Sequence, residues 1–187
     1  MRCCIFKYEV QNPLISQEVD ADTTNELIKQ LMYLEMQDDE AEITLYINSP
    51  GGEVTSGLAV YDYMTMMKAP IRTVSIGTAA SMGAILFLAG DKRQMLPHTR
   101  VMIHDPSYSN ANMGGKKSHE IQHELDKLNE TREIVARIIS EKTGKSLEEV
   151  YKVTADDTFF NAEEAVEFGL ATEIINSTAL RKRGEKR

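Results

Sequence analysis

Residues 43–52 have the sequence ITLYINSPGG, in which a short strand pattern ends at an abrupt break. From Ile43 to Ile47, apolar side chains alternate with Thr and Tyr, which is the period of a β-strand. The proline and two glycines at 50–52 then interrupt the strand, because these residues favour turns over a hydrogen-bonded ladder. A helical pattern follows over residues 54–68. The stretch therefore predicts a strand–turn–helix unit.

Similar units flank this one on both sides. Upstream, Thr23 as N-cap with Glu26 three residues later predicts a capping box at the start of a helix. Downstream, residues 77–80 are expected to link a strand to a helix. The alternation continues with strands over residues 71–76 and 100–104, and with helices over residues 81–89, 118–142 and from about 147 onward. Strands that alternate with helices indicate an α/β fold with a largely parallel sheet.

The composition is that of an ordinary globular protein. The chain has 187 residues, of which 42% are hydrophobic and 27% charged, so it fits one domain and is not wholly disordered. Its 21 basic and 29 acidic residues give a net charge of −8, which disfavours nucleic-acid partners because the phosphate backbone would be repelled. The basic run at residues 181–187 is interpreted as a solvated tail.

Cysteine usage and hydropathy indicate the compartment. Cys3 and Cys4 are adjacent, which suits a reducing compartment better than a disulfide framework. No signal peptide is expected, since the apolar segment after them is too short. The longest apolar stretch, residues 79–90, has about 12 residues, fewer than the roughly 20 that span a bilayer. We therefore expect a cytoplasmic protein without membrane association.

Residues 119–123, HEIQH, match the H-E-x-x-H pattern, which places two imidazoles on one helix face for zinc and supplies a glutamate as general base. The flanking residues are mostly charged, as on a solvated helix face. Asp126 and Asn129 occupy positions where the extended zinc motif needs glycine and histidine. A zinc peptidase that uses His119 and His123 is kept as a minor alternative, and no metal site is predicted.

Three other features place reactive groups near the ends of predicted strands. Ser81 lies among small residues at a strand-to-helix junction, where free N–H groups of the helix can hold a developing oxyanion. His104 ends an apolar strand, a position that suits a general base in open α/β sheets. Gly51 and Gly52 allow the backbone to approach a substrate. Each feature alone also has a purely structural explanation. Small residues around Ser81 allow close packing, a histidine at a strand end is often structural, and two glycines can simply form a turn.

Residues 48–52 (NSPGG), 79–83 (AASMG) and 102–106 (MIHDP), in this order, together resemble the Clp peptidase family of serine proteases. The resemblance covers residues 13–176, between a short segment at 1–12 and the basic tail at 177–187. It implies a crotonase-like α/β fold of repeated β-α units, with a protruding helix-strand handle at about residues 105–142.

The resemblance also implies an activity and an assembly. Ser81 would be the nucleophile and His104 the base of a Ser-His-Asp triad, and the backbone N–H groups of Gly52 and Met82 would form the oxyanion hole. This chemistry requires no metal or organic cofactor. The resemblance implies homo-oligomeric, seven-membered rings, usually two stacked face to face, which enclose the active sites. An ATP-driven AAA+ unfoldase feeds them with unfolded polypeptide.

The acid of the triad is chosen by register within the resemblance. The family places it shortly before an aromatic residue and a helix start, which here selects Asp157. Asp156 is the alternative, and Asp105 is too close to His104 in the sequence to be favoured. The family usually has arginine at position 156, where it pairs across rings, so Asp156 predicts weaker contacts between rings. This substitution also motivates the second hypothesis, a noncatalytic or regulatory ring subunit.

Overall fold

The computed structural model describes residues 12–108 and 115–175. In these ranges the strands are β1 (Leu14–Ile15), β2 (Ile43–Ser49), β3 (Ile71–Ala80), β4 (Lys92–Met95), β5 (Arg100–Ile103), β6 (Thr158–Phe160) and β7 (Glu173–Ile174). The helices are α1 (Ala21–Gln37), α2 (Val54–Met66), α3 (Met82–Leu88), α4 (Ser118–Thr143), α5 (Leu147–Thr154) and α6 (Ala162–Phe168). The predicted tail at 177–187, Cys3, Cys4 and nearly all of the segment at 1–12 lie outside the described residues.

The described strands form one mostly parallel sheet, which confirms the predicted α/β class. Its main path runs β1-β2-β3-β4-β7, and every pairing along that path is parallel. β3 has two partners along one edge, because residues 72–75 pair with β4 and residues 78–80 pair with β5. β6 adds to β5 in the antiparallel direction. The second half of β3 and the short strands beside it therefore form one corner of the sheet.

α3 lies at the centre of the hydrophobic core. All of its residues, Met82 to Leu88, are buried, and the helix contacts α2, α4 and β3. A helix that is apolar on every face is expected where protein surrounds it on all sides. The core continues on both sides of α3 with Leu31, Leu45 and Ile139, none of which is exposed. The strand-to-helix junction at Ser81 is thus anchored by a fully enclosed helix.

α1 starts earlier than predicted. Its N-cap is Asp20, whose carboxylate accepts a hydrogen bond from the Thr23 backbone N–H at 2.8 Å. The Asp20 N–H in turn donates to the Thr23 hydroxyl at 3.0 Å, which completes a capping box. The predicted capping box from Thr23 to Glu26 is therefore wrong. The box that forms runs from Asp20 to Thr23, three residues upstream of the predicted one.

β3 also extends further than predicted. Residues 77–80 continue the strand instead of linking it to a helix, because they pair with β5 on one side and, at Ala79, with Ser49 of β2 on the other. β4 and β7 have no strand pattern in the sequence. Both are held by pairing with partners far along the chain.

Arg93 on β4 ties the sheet to the ends of α4 and α6. Its guanidinium donates to the carbonyl oxygens of Leu170 at 2.8 Å, Lys142 at 3.1 Å and Gly169 at 3.2 Å. Burial lowers the pKa of Arg93, and burial together with the Arg93 charge lowers the pKa of Lys142. Since the last carbonyls of a helix have no partner within it, the arginine supplies donors that these helix ends lack.

Replacing Arg93 with methionine is expected to lower the free energy of unfolding by about 3 kcal/mol, because several carbonyls lose their donor inside the protein. Urea-induced unfolding followed by circular dichroism measures the change. Arg137→Met is the control, since Arg137 pairs with Glu133 across an exposed turn of α4, and its loss should change the free energy of unfolding by less than about 0.5 kcal/mol. Equal losses in the two variants would show that Arg93 does not anchor the helix ends.

α4 begins at Ser118 and closes at Gly144, which adopts a left-handed conformation with φ of 74°. The predicted handle at about residues 105–142 includes residues 109–114, which lie outside the described part of the chain, so the handle as a unit stays a prediction. No helix in residues 12–108 and 115–175 combines the length and the apolar character needed to cross a membrane.

Candidate active site

Parallel pairing of β3 with β5 brings Ser81 beside His104. Ala80 pairs with Met102, and the Ser81 N–H donates to the Met102 carbonyl at 2.9 Å. After β3 and after β5, the polypeptide leaves the sheet at the carboxyl ends of the strands, which is the edge at which α/β sheets bind ligands. The Ser81 Oγ lies 2.9 Å from the His104 Nε2.

Antiparallel pairing of β6 with β5 brings Asp157 to the other side of the imidazole. Ile103 pairs with Thr158, so the residue that follows Ile103 faces the residue that precedes Thr158. The Asp157 Oδ1 lies 3.0 Å from the His104 Nδ1. With the proton on Nδ1, the ring donates to this carboxylate and Nε2 is free to accept from the Ser81 hydroxyl.

The carboxylate end of this line of contacts opens to solvent. The Asp157 side chain is 66% exposed, whereas the His104 side chain is 24% exposed. Of the three candidate acids, Asp157 is the one that contacts His104. The Asp105 carboxylate instead forms an ion pair with Arg132, and Asp156 is an exposed residue. The sheet register thus favours the aspartate that the resemblance selected.

Ser81 has an unusual backbone conformation, with φ of 51° and ψ of −122°. It is the one non-glycine residue with positive φ in the described part of the chain. Such a conformation costs on the order of 1–3 kcal/mol and persists where surrounding contacts enforce it, often at functional sites. Here the Ser81 N–H is held by Met102, and its carbonyl accepts from the Ala84 N–H at 2.9 Å.

The two glycines after β2 form a loop against the start of α3. Gly51 has φ of 96° and Gly52 has φ of 150°, a region that favours glycine. A Cβ on Gly51 would lie 2.6 Å from the Ser81 Cβ and 2.9 Å from the Met82 backbone N. No larger residue at position 51 is compatible with this close approach to the candidate nucleophile.

Among the described residues, the backbone N–H groups of Gly52 and Met82 donate no hydrogen bond to another group of the protein. Val19 donates to the Gly51 carbonyl at 2.8 Å and accepts from the Glu53 N–H at 2.7 Å. These bonds use the groups on either side of Gly52, so its own N–H is directed away from Val19. Met82 is the first residue of α3, where N–H groups have no acceptor within the helix.

A groove of about 540 Å³ passes over the candidate site. One wall is formed by the glycine loop and Glu53, and the other by the chain after His104 together with Leu128 and Thr131 of α4. Beneath Ser81 lies a smaller pocket of about 20 Å³ with apolar walls. Its apolar lining residues are Val54, Met82, Ile85, Ile103, Pro106, Val135 and Ile139.

Sequence reasoning missed the contribution of α4 to the small pocket under Ser81. The apolar residues Val135, Ile138 and Ile139 recur at helical spacing, which predicts a buried face. That pattern does not identify the surface against which the face packs. The structure places it against α3 and the pocket under Ser81.

The zinc alternative gains no support from the structure. His119 and His123 are exposed on α4. Residues 12–108 and 115–175 contain no group of three or more His, Cys, Asp or Glu side chains close enough to hold a metal ion. A zinc site needs three or four protein ligands, which the H-E-x-x-H pattern alone does not supply.

Comparison with known protein families matches the same region of the chain. The model of the Clp protease family matches residues 8–178, which include the glycine loop, Ser81, His104 and Asp157. This match spans most of the 187 residues, and the mixed α/β fold with its parallel sheet agrees with it. The chain therefore belongs to the Clp protease family.

Proposed function

We propose that this chain is a serine endopeptidase that cleaves unfolded polypeptides, with Ser81 as nucleophile, His104 as general base and Asp157 as the acid of the triad. The observation that carries the proposal is one continuous line of contacts. Ser81 Oγ lies 2.9 Å from His104 Nε2, and His104 Nδ1 lies 3.0 Å from Asp157. A triad is recognised by such geometry and not by its order along the chain.

The reaction follows from these contacts. His104 Nε2 takes the Ser81 proton as the hydroxyl oxygen attacks a peptide carbonyl, and Asp157 stabilises the imidazolium that forms. The same imidazolium then protonates the leaving amine, which leaves an acyl-enzyme on Ser81. Water attacks the acyl group with His104 again as base, and the serine is regenerated.

The tetrahedral intermediate carries a negative oxygen, which the Gly52 and Met82 N–H groups stabilise. Both groups belong to backbone segments that contact one another beside Ser81. Such donors are effective because they are fixed before the reaction and need no reorganisation when charge develops.

The groove suits an extended, unfolded chain. Most peptide groups of a folded protein are paired within its own helices and sheets, so an extended, unfolded segment enters the groove between α4 and the glycine loop more readily. The apolar pocket beneath Ser81 favours an apolar side chain beside the cleaved bond, because burial there removes apolar surface from water.

Assembly into seven-membered rings and feeding by an AAA+ unfoldase are part of the proposal and rest on family membership. A ring that encloses the sites would restrict cleavage to polypeptides that have been unfolded first. Asp156 replaces the arginine that is usual in the family, and we expect it to weaken contacts between stacked rings.

Labelling with a fluorophosphonate, which reacts with activated serines, tests the proposal. The purified chain should take up one label, which peptide mapping by mass spectrometry should locate on Ser81. The same protein should degrade a fluorescently labelled unfolded protein faster than its folded form. His104→Ala should abolish labelling, because the serine loses its base. His98→Ala, at an exposed residue, should leave it unchanged.

Two outcomes would contradict the proposal. A folded protein whose Ser81 stays unlabelled would support the noncatalytic ring subunit. Hydrolysis that stops on treatment with EDTA and returns with zinc would support the metal alternative.

A further inference from the structure

Asp105, the residue after His104, is held at three points. Its Oδ1 accepts from the Thr154 hydroxyl at 2.6 Å, and its Oδ2 lies 2.7 Å from the Arg132 Nε. Its backbone N–H donates to the Thr154 carbonyl at 2.6 Å. Both the main chain and the side chain at this position are therefore fixed directly next to the imidazole.

Arg132, a residue of α4, links Asp105 to that helix. Its Nε is excluded from solvent and is not aligned as a hydrogen-bond donor, so its attraction to Asp105 is that of an ion pair. Its guanidinium lies over the Tyr151 ring of α5, 4.5 Å from the ring centre. A single carboxylate thus connects the end of β5 with both α4 and α5.

The same connection sets the position of Asp157. Thr154 is the last residue of α5, and the chain turns back immediately after it, held by a 2.7 Å bond from the Thr158 hydroxyl to the Val153 carbonyl. Asp157 lies within this turn. Because Asp105 is bound to the start of the turn and adjoins His104, it constrains the distance between the imidazole and the Asp157 carboxylate in addition to the pairing of Ile103 with Thr158.

We propose that Asp105 is a positioning residue, which, through Arg132 and Thr154, holds His104 against Asp157 and ties the imidazole to the α4 wall of the groove. The inference rests on the peptidase proposal, because it assigns Asp105 an effect on that reaction. A small displacement of a reacting group is enough to slow a reaction by about 100-fold, so loss of this support should reduce turnover without removing any reacting atom.

The test compares Asp105→Asn and Arg132→Met with the control Arg137→Met, which removes an arginine from an exposed turn of the same helix. We expect kcat for a fluorogenic peptide to fall roughly 10- to 100-fold in both test variants, with KM within about twofold of the wild type. The rate of fluorophosphonate labelling should fall in parallel. The double variant should be no slower than the slower single variant, because the two residues act as one unit.

A second pair of variants covers the case in which loss of the ion pair prevents folding. Thr154→Val removes only the hydroxyl bond to Asp105 and should lower kcat, whereas Thr154→Ser keeps the hydroxyl and should restore it. A fall in thermal stability with unchanged kcat would reduce Asp105 to a structural role and overturn the inference. Multiplying effects in the double variant would do the same. A wild-type protein that neither labels nor hydrolyses would instead refute the peptidase proposal itself, and this inference with it.

Discussion

Replacing Ser81 with alanine is expected to abolish hydrolysis of unfolded protein, with kcat lowered by about 10⁶-fold, while the fold persists. In the proposed mechanism the hydroxyl oxygen forms the acyl-enzyme, and it lies 2.9 Å from the His104 Nε2 that would take its proton. Alanine keeps the Cβ and the same backbone conformation, so the packing of α3 is not disturbed.

The strained backbone at this position allows a sharper form of the same test. Ser81→Gly should be equally inactive but more stable than Ser81→Ala by about 1 kcal/mol, because glycine adopts positive φ without a Cβ penalty. Ser118→Ala is the control, since this exposed serine at the start of α4 does not line the groove, and its kcat should stay within about twofold of the wild type. Turnover by Ser81→Ala near the wild-type rate would remove the assigned nucleophile.

The helices and the central strands were predictable from local patterns, because their periods appear within a few residues. α2, α4 and α5 lie close to where the sequence predicts them. The start of α1 was not predictable in this way, because the segments from Asp20 to Thr23 and from Thr23 to Glu26 are two overlapping candidates for a capping box. Local chemistry alone cannot choose between two such caps.

The elements that local patterns missed are those held by distant partners. Residues 77–80 contain Gly and Ala and have no strand period, yet they extend β3 because β2 and β5 flank them. β4 contains Lys92, Arg93 and Gln94, which predict exposure and not a strand. Strand propensity depends strongly on context, so pairing between distant segments overrides a weak local signal.

The candidate site was predictable in its parts but not in its connections. Ser81, His104 and Asp157 were named from the resemblance to a known family, and sheet register then explains why their side chains meet. The partner of Asp105 was beyond prediction, because Arg132 follows it at a distance of many residues on a helix whose orientation no local pattern determines. Contacts between side chains on different elements are a property of the packed fold.

Replacing Gly52 with alanine is expected to lower kcat by about 1,000-fold, near the upper end of the effect of losing an oxyanion donor. Gly52 has φ of 150°, and a Cβ there would overlap the Val19 carbonyl. The loop cannot relieve this overlap without moving the Gly52 N–H, because the bonds of Val19 to Gly51 and Glu53 hold both sides of it. KM should change less than kcat, since the donor acts mainly on the charge that develops in the transition state.

Gly144→Ala separates this effect from backbone strain alone. Gly144 also has positive φ, 74°, but no atom of the described residues lies within 4 Å of a Cβ built there, so alanine at this position introduces strain without overlap. We expect Gly144→Ala to lose about 1 kcal/mol of stability and to keep its kcat. If Gly52→Ala retained full turnover in a folded protein, the Gly52 N–H would not hold the oxyanion. If both variants lost activity equally, general strain and not the position of this amide would explain the loss.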